Sequence, residues 1–365
     1  MRICIVVDNL NPHAGWGRLA LKIAESFRAN GHEVGFIVEK KIAGLSASDL
    51  VAHLKLSSLK NLLRLPVTLL LIRNFIKPYD VIFCFDVNPN AIILNMANLW
   101  QRRKVVIYAL GTYSLFGDGT LIKNFFMRWA YRKAKKVFIV SEFVKRQIEI
   151  NGFKLKKDII APVGVDANFF HPLLSEEKIL PYPFILTVGA LKPRKGYYFS
   201  ISAFSLIAQE FPELKYVIVG DQEIGTYYQE MKSLVHRLGL DNRVIFLEKV
   251  KDEDLVRYYN DAKLFILTSV TESDAVEGFG MVYLEASACG TPTIGAYNTG
   301  AEAAIKNNST GILVRHDQQE IAGAMRKILV NKNLSDELGN NGIEWANKFN
   351  WPNITRIYLE NLCAR

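Results

Sequence analysis

The feature that most limits this chain is an alternation, run through twice, of short apolar stretches with longer segments of helical spacing. In the first half the apolar stretches fall at 2–7, 33–38, 80–85, 104–109, 136–140 and 158–161. Helical periodicity fills 15–30, 90–101, 121–135 and 142–150 between them. A proline-punctuated stretch, FFHPLLSEEKILPYP, then breaks the pattern. It restarts at 184–188, 215–219, 243–247, 263–268, 292–295 and 311–314. Strand–helix alternation predicts parallel sheets covered on both faces. Two such series in 365 residues, more than one core usually serves, predict an α/β protein of two doubly wound domains facing a central cleft. The first domain is expected over 1–172 and the second over 173–347. A terminal segment, FNWPNITRIYLENLCAR, spaces Ile354, Ile357, Tyr358 and Leu362 as a helix. This helix, 348–365, is expected to pack back on the first domain. Ligands of such sheets sit beyond the carboxyl ends of the strands, so the loops that follow strands are where chemistry is sought.

Charge is divided unevenly between the halves. Residues 1–170 hold 25 Lys and Arg against 12 Asp and Glu, whereas 171–365 hold 20 against 24. A basic first half fits an anionic partner such as a phospholipid surface, a phosphorylated acceptor or nucleic acid, or a solvated basic face. Nucleic acid is the weakest of these, since no reading motif or set of interleaved exposed aromatics accompanies the charge. The segment 54–77 is strongly apolar yet carries Lys55, Lys60, Arg64, Arg73 and Lys77, and Pro66 interrupts it. It is too short for a bilayer span, which needs ~20 apolar residues. It reads as a buried helix pair or as an amphipathic element on a membrane surface. The four cysteines, Cys4, Cys84, Cys289 and Cys363, have no metal spacing and read as reduced, buried thiols. The first residues form a strand pattern without signal-peptide architecture, so the chain reads as cytoplasmic, with peripheral membrane contact allowed.

The stretch VEGFGMVYLEASACG places Glu277 and Glu285 eight positions apart around Gly278-Phe279-Gly280. It follows an apolar strand and a polar loop, and Met281 to Ala288 reads as a helix. Glycines admit a ligand close to the backbone, and a helix N-terminus carries partial positive charge, so the amides of Gly278, Phe279, Gly280, Met281 and Val282 suit a phosphate. Glu285, one turn along the helix, is placed for a vicinal diol such as a ribose. Glu277, just before the turn, would repel phosphate but accept from sugar hydroxyls. The spacing alone also fits a plain helix start with an incidental second glutamate.

EGFGMVYLEASACGTPTIG resembles the glutamate–seven residues–glutamate motif of the GT4 family of retaining glycosyltransferases, which have the GT-B fold. It is nearest to the branch containing phosphatidylinositol-mannoside mannosyltransferases. The resemblance extends over nearly the whole chain. DNLNPHAGWGRLALKIAESFRANGHEV is similar to the family's first strand–loop–helix, where Gly15 and Gly17 would bring backbone amides to the donor phosphate. ILTVGALKPRKGYYFSISAF is similar to the opening of the second domain, where Lys195 matches the lysine that grips the diphosphate. NRVIFLEKVKDEDLVRYYNDAKLFILTS resembles the strands beside the nucleobase, with backbone contacts implied from Val244 to Leu247. The terminal helix resembles one that crosses back to the first domain. Two positions depart from the family. Ala190 stands where an arginine is frequent, and Arg194 is placed to supply that charge. Leu110 stands where many members carry a histidine. Of His13, His32, His53, His171, His236 and His316, which read as loop, turn or linker residues, only His13 falls in a candidate site loop.

The resemblance implies transfer of a hexosyl group from a GDP- or UDP-linked sugar to an acceptor hydroxyl with retention. Glu277, Lys195 and Arg194 would carry the chemistry by front-face attack. No metal or other cofactor is implied, and no cluster of metal ligands stands out. The resemblance implies that the first domain binds the acceptor, a glycan, lipid-linked or small-molecule acceptor, and that the second binds the nucleotide sugar. A nucleotide-sugar epimerase of the same fold, and a catalytically impaired nucleotide-sugar-binding partner protein, are the alternatives. The departures at Leu110 and Ala190 motivate the second.

Overall fold

The computed structural model describes residues 1–11, 15–39, 50–53, 65–99, 101–115, 121–174, 177–222, 226–272 and 275–363. These form two compact units, Met1–Val163 with Trp351–Arg365, and Gly164–Asn350. His13 and residues 54–64 of the apolar basic segment lie outside the described residues.

The first unit is built on a seven-stranded sheet in the order β3-β2-β1-β4-β5-β6-β7, every pairing parallel. Its strands are β1 (Arg2–Val7), β2 (Glu33–Val38), β3 (Leu50–His53), β4 (Val81–Phe85), β5 (Lys104–Ala109), β6 (Lys136–Ile139) and β7 (Asp158–Ile160). Every residue of β4, and five of six in β1, β2 and β5, is buried. That is why these strands read as continuous apolar runs rather than alternating ones. Helices α1 (Gly15–Ala29), α2 (Leu65–Ile76), α3 (Ile92–Ala97), α4 (Thr112–Leu115), α5 (Leu121–Lys133) and α6 (Glu142–Ile150) connect them. In α1, Leu19, Ala20, Ile23, Ala24 and Phe27 recur at helical spacing on the buried face. Gly31, at φ 78°, lets the chain turn off that helix into β2. Pro66 does not break α2; it sits in the first turn, where its missing N–H leaves no hydrogen bond unmade. Only Ile72 and Ile76 of α2 are buried, and Val67, Leu70 and Leu71 are exposed, so α2 is not part of a buried helix pair.

The second unit carries a six-stranded parallel sheet, order β10-β9-β8-β11-β12-β13. Its strands are β8 (Phe184–Val188), β9 (Lys215–Val219), β10 (Val244–Leu247), β11 (Phe265–Leu267), β12 (Thr293–Ala296) and β13 (Gly311–Val314). Its helices are α7 (Tyr197–Ser205), α8 (Tyr227–Arg237), α9 (Asp252–Asp261), α10 (Met281–Ala288), α11 (Ala301–Ala304), α12 (Gln318–Val330) and α13 (Lys332–Lys348). Asp317 caps α12 by accepting from the Glu320 amide at 2.8 Å.

Chain connectivity departs from the expected boundary at 172. Val165 N donates to Phe349 O at 2.9 Å, and Phe170 packs edge-on to Tyr259, so 164–172 belong to the second unit. The last helix, α14 (Trp351–Cys363), belongs to the first unit. Tyr358 is fully buried there, stacked on Phe138 at 5.7 Å, with its hydroxyl 2.9 Å from that of Tyr108 and donating to Pro162 O at 2.8 Å. Phe27, Phe83 and Tyr108 meet it edge-on. Each such aromatic pair adds about 1 kcal/mol beyond area burial. Cys4, Cys84 and Cys289 are buried and free, whereas Cys363 is exposed, contrary to the expectation that all four are buried. His53 ends β3 and His236 lies in the last turn of α8, so neither is a loop residue. Among the described residues no helix is long and apolar enough to cross a membrane.

Candidate functional site

Strand order in the second unit reverses between β8 and β11, which are neighbours in the sheet. A doubly wound sheet opens its ligand crevice at such a point. The loop after β8 runs through a tight 3-10 turn, Pro193–Lys195, to Gly196 and then α7. Gly196 has φ 68°, and a Cβ there would stand 1.8 Å from Thr268 O, so only glycine fits. The Thr268 hydroxyl donates to Gly196 O at 2.8 Å, and Val270 N donates to Arg194 O at 2.8 Å. These bonds tie the β8 loop to the β11 loop.

The tie brings together residues far apart in sequence. Lys195 Nζ donates to Glu277 Oε2 at 2.5 Å, and Arg194 donates to the same oxygen at 2.8 Å. The Lys195 and Glu277 side chains are only 11% and 12% exposed, so solvent screens the pair weakly. Burial acts to raise the Glu277 carboxyl, but the Lys195 and Arg194 charges and hydrogen bonds outweigh it and hold it at about 2. Burial lowers the Lys195 amine, and the adjacent Arg194 charge adds to this against the pull of Glu277. Two cations thus share one carboxylate, leaving the cluster with a net positive charge. Arg194 does supply a guanidinium beside Lys195 although position 190 is alanine.

Beyond Glu277 the chain turns through buried Gly278, Phe279 and Gly280 into α10. Gly280 adopts φ 79°, outside the range of most side chains, and Phe279 packs on Phe349 at 5.9 Å. Gly300, after β12, donates its amide to Glu277 O at 2.8 Å, and a Cβ on it would lie 2.3 Å from Phe279 N. The turn is therefore held from behind by the next strand's loop. The first amides of a helix have no intrahelical partner, which puts those of Met281 and Val282, both half-buried, at its open end. Glu285, in the second turn of α10, is 7% exposed, and its Oε2 accepts from the Tyr259 hydroxyl at 2.8 Å. Tyr259, Thr268 and Gly300 also shape the site and were not foreseen; no local pattern distinguishes them from ordinary core and turn residues.

Other expected residues belong to other elements. Val244 is at the amino end of β10 with its side chain in the hydrophobic core, so of the span 244–247 only Leu247 stands at the carboxyl end. Gly15 and Gly17 are in the first unit, at the start of α1. Gly15 faces open space, whereas a Cβ on Gly17 would come 2.2 Å from Asn11 O, so close packing explains that glycine. Leu110 donates its amide to Asp86 in the first unit. Among the described residues no group of three or more His, Cys, Asp or Glu could hold a metal ion.

Comparison with known proteins matches both units. A family profile described as Glycosyltransferase Family 4 covers residues 14–169, and one described as Glycosyl transferases group 1 covers 175–345. Mannosylfructose-phosphate synthase of Agrobacterium fabrum is 31% identical over 58% of this chain and 49% of its own length. The GDP-mannose-dependent alpha-(1-6)-phosphatidylinositol monomannoside mannosyltransferase of Mycobacterium tuberculosis is 28% identical over 53% of this chain and 52% of its own. The chain thus spans about half the length of the curated relatives it matches. Among solved structures, a glycosyltransferase from Rickettsia africae superposes with a TM-score of 0.83 at 21% identity, covering 99% of this chain and 97% of that one. Anabaena HepE in complex with UDP-glucose gives 0.81 at 21% identity, covering 99% of both. With both family profiles in sequence order and the two parallel-sheet units behind them, the chain belongs to the GT4 family of glycosyltransferases, of GT-B fold.

Proposed function

We propose that the protein is a retaining hexosyltransferase that takes a GDP- or UDP-linked sugar as donor. The observation that carries this reading is the Glu277 carboxylate shared by Lys195 and Arg194 at the mouth of α10. Its surplus positive charge, next to the open amides of Met281 and Val282, suits a diphosphate. As the glycosidic bond breaks, the ring gains oxocarbenium character and negative charge grows on the leaving diphosphate. Lys195 and Arg194 are already fixed by Glu277, so they meet that charge without reorganising. Glu277 has two oxygens, and only Oε2 takes both cations; Oε1 faces the hexose hydroxyls in this reading. Glu285, oriented by Tyr259, accepts from the ribose diol. The leaving phosphate takes the proton of the attacking acceptor hydroxyl on the same face, so no second carboxylate is needed opposite the anomeric carbon. No step in this scheme requires a metal ion. Mannose is the favoured sugar, because the mycobacterial relative named above uses GDP-mannose. The acceptor is a glycan, a glycolipid or a small polyol.

The test is a thermal-shift panel of GDP, UDP and their sugars, followed by turnover with the donor that binds. One nucleotide should raise the melting temperature at saturation, and Lys195→Ala should lower kcat/KM by at least ~30-fold, the scale of one charge-assisted donor. No shift with any nucleotide, or unchanged kinetics in Lys195→Ala, refutes it.

A further inference from the structure

The loops after β8, β9 and β10 are tied into one shelf that leads away from the Lys195–Glu277 cluster. Gly189, after β8, donates its amide to Val219 O at 2.8 Å, and Leu191 N donates to Asp221 O at 2.9 Å. Gly220, after β9, donates its amide to Leu247 O at 3.0 Å, and a Cβ on it would stand 1.9 Å from Gly189 O. Only glycine lets these loops meet so closely. Glu248, after β10, ends the shelf. Its Oε1 accepts from Gln222 N, in the loop after β9, at 2.8 Å. The side chain therefore leans inward, towards β9 and the cluster beyond it, rather than off the edge of the sheet. Two cations hold Glu277, whereas Glu248 takes one backbone amide and no cation among the described residues, although Lys249 and Lys251 flank it and are exposed. Its Oε2 has no hydrogen-bond partner among the described residues. Glu248 is half-buried, so the carboxylate is open to a ligand.

We propose that Glu248 selects guanine as the base of the donor, its carboxylate accepting from the N1–H and the exocyclic amine. The proposal rests on the glycosyl-transfer reading, which puts the diphosphate at Lys195 and Arg194. Two strand spacings, ~10 Å, separate β10 from β8. A nucleoside laid across the shelf from that diphosphate spans such a gap. The ribose contact points the same way. Tyr259 holds Glu285, and Tyr259 belongs to α9, the helix that starts directly after residues 248–251. A base beyond that ribose meets the chain entering α9. Carboxylate oxygens accept and do not donate, so the facing edge of the base must bring donors. Guanine is the common base with two neighbouring donors on one edge. Uracil carries a single N–H between two carbonyls, which a carboxylate would repel, and adenine and cytosine set an acceptor nitrogen beside their amine. The Gln222 amide orients Glu248 before the base arrives and leaves lone pairs on both oxygens for it. A bidentate pair of this kind discriminates between bases by about tenfold or more.

Calorimetric titration of the full chain with GDP, inosine diphosphate and UDP tests this, on the wild type and on Glu248→Gln. Inosine diphosphate is GDP without the exocyclic amine, so it reports that one hydrogen bond and not the fold. The wild type should bind GDP about tenfold or more tighter than UDP, with inosine diphosphate between them. Glu248→Gln turns an N–H towards the guanine donors, so it should weaken GDP about tenfold, leave UDP unchanged and erase the difference between GDP and inosine diphosphate. If Glu248→Gln fails to fold, the wild-type comparison of GDP with inosine diphosphate decides alone. Preference for UDP, equal affinity for GDP and inosine diphosphate in the wild type, or a folded Glu248→Gln that keeps the wild-type preference overturns the guanine assignment and leaves the donor reading standing. Failure of all three nucleotides to bind overturns the donor reading and this assignment with it.

Discussion

Replacing Glu277 by glutamine keeps the side-chain shape and removes one charge from the Arg194–Lys195–Glu277 cluster. In the wild type the carboxylate lies 2.5 Å from one cation and 2.8 Å from the other. Removing one partner of a buried ion pair costs about 3–5 kcal/mol. Glutamine retains an acceptor oxygen and the Arg194 side chain is 26% exposed, which reduces the cost to about 2–3 kcal/mol. For a unit of the size of Gly164–Asn350, each kcal/mol lowers the melting temperature by about 2–4 °C, so a fall of about 4–12 °C is expected. A nucleoside diphosphate supplies the missing negative charge. Differential scanning calorimetry should therefore show the variant recovering more on addition of the binding nucleotide than the wild type does, while sugar transfer stays low. The sign with pH follows from the depressed carboxyl. Its stabilisation is present above the ordinary value of 4.5 and lost as pH falls towards about 2, so the gap between wild type and variant should close over that window. A Glu277→Gln protein that melts with the wild type at neutral pH refutes the electrostatic argument. Loss of nucleotide affinity in that variant would show instead that the carboxylate helps to hold the nucleotide.

Glu285→Ala should weaken nucleotide binding about tenfold or more in calorimetry, since it removes the acceptor oriented by Tyr259; Tyr259→Phe should weaken it less, and equal affinity in Glu285→Ala rules out the ribose contact. Peripheral attachment to an anionic membrane is a further expectation, motivated by exposed Val67, Leu70 and Leu71 on α2 within the basic first half. Co-sedimentation with vesicles should then rise with their content of anionic lipid and fall in Leu70→Ser/Leu71→Ser; binding that is indifferent to lipid charge excludes it.

Much of the second unit was legible in the order of its residues. Strand positions such as 215–219 and 311–314 agree with β9 and β13 to the residue, because a strand buried on both faces leaves a continuous apolar run. The strand β3 escaped notice: Leu50–His53 is a four-residue edge strand whose alignment comes from β2, not from its own pattern. The site divides in the same way. Glu277, Gly278, Gly280 and Glu285 lie within nine positions, so their spacing carries the phosphate-and-hydroxyl logic directly. Tyr259 and Gly300 contribute through contacts with Glu285 and Glu277 that span stretches of unrelated sequence.

What the sequence determined by itself is the class of fold, through periodicity, and the placing of two glutamates around a glycine turn that opens α10, through residues adjacent in the chain. The tertiary structure alone decided that Arg194 and Lys195 share one oxygen of Glu277, that Tyr358 fastens the last helix to the first unit, and that Glu248 leans from the end of β10 onto the loop after β9. The physical reason is range: hydrophobic spacing and helix polarity act over a few residues, whereas ion pairing, burial and contacts between loops depend on which strand ends the sheet order sets side by side.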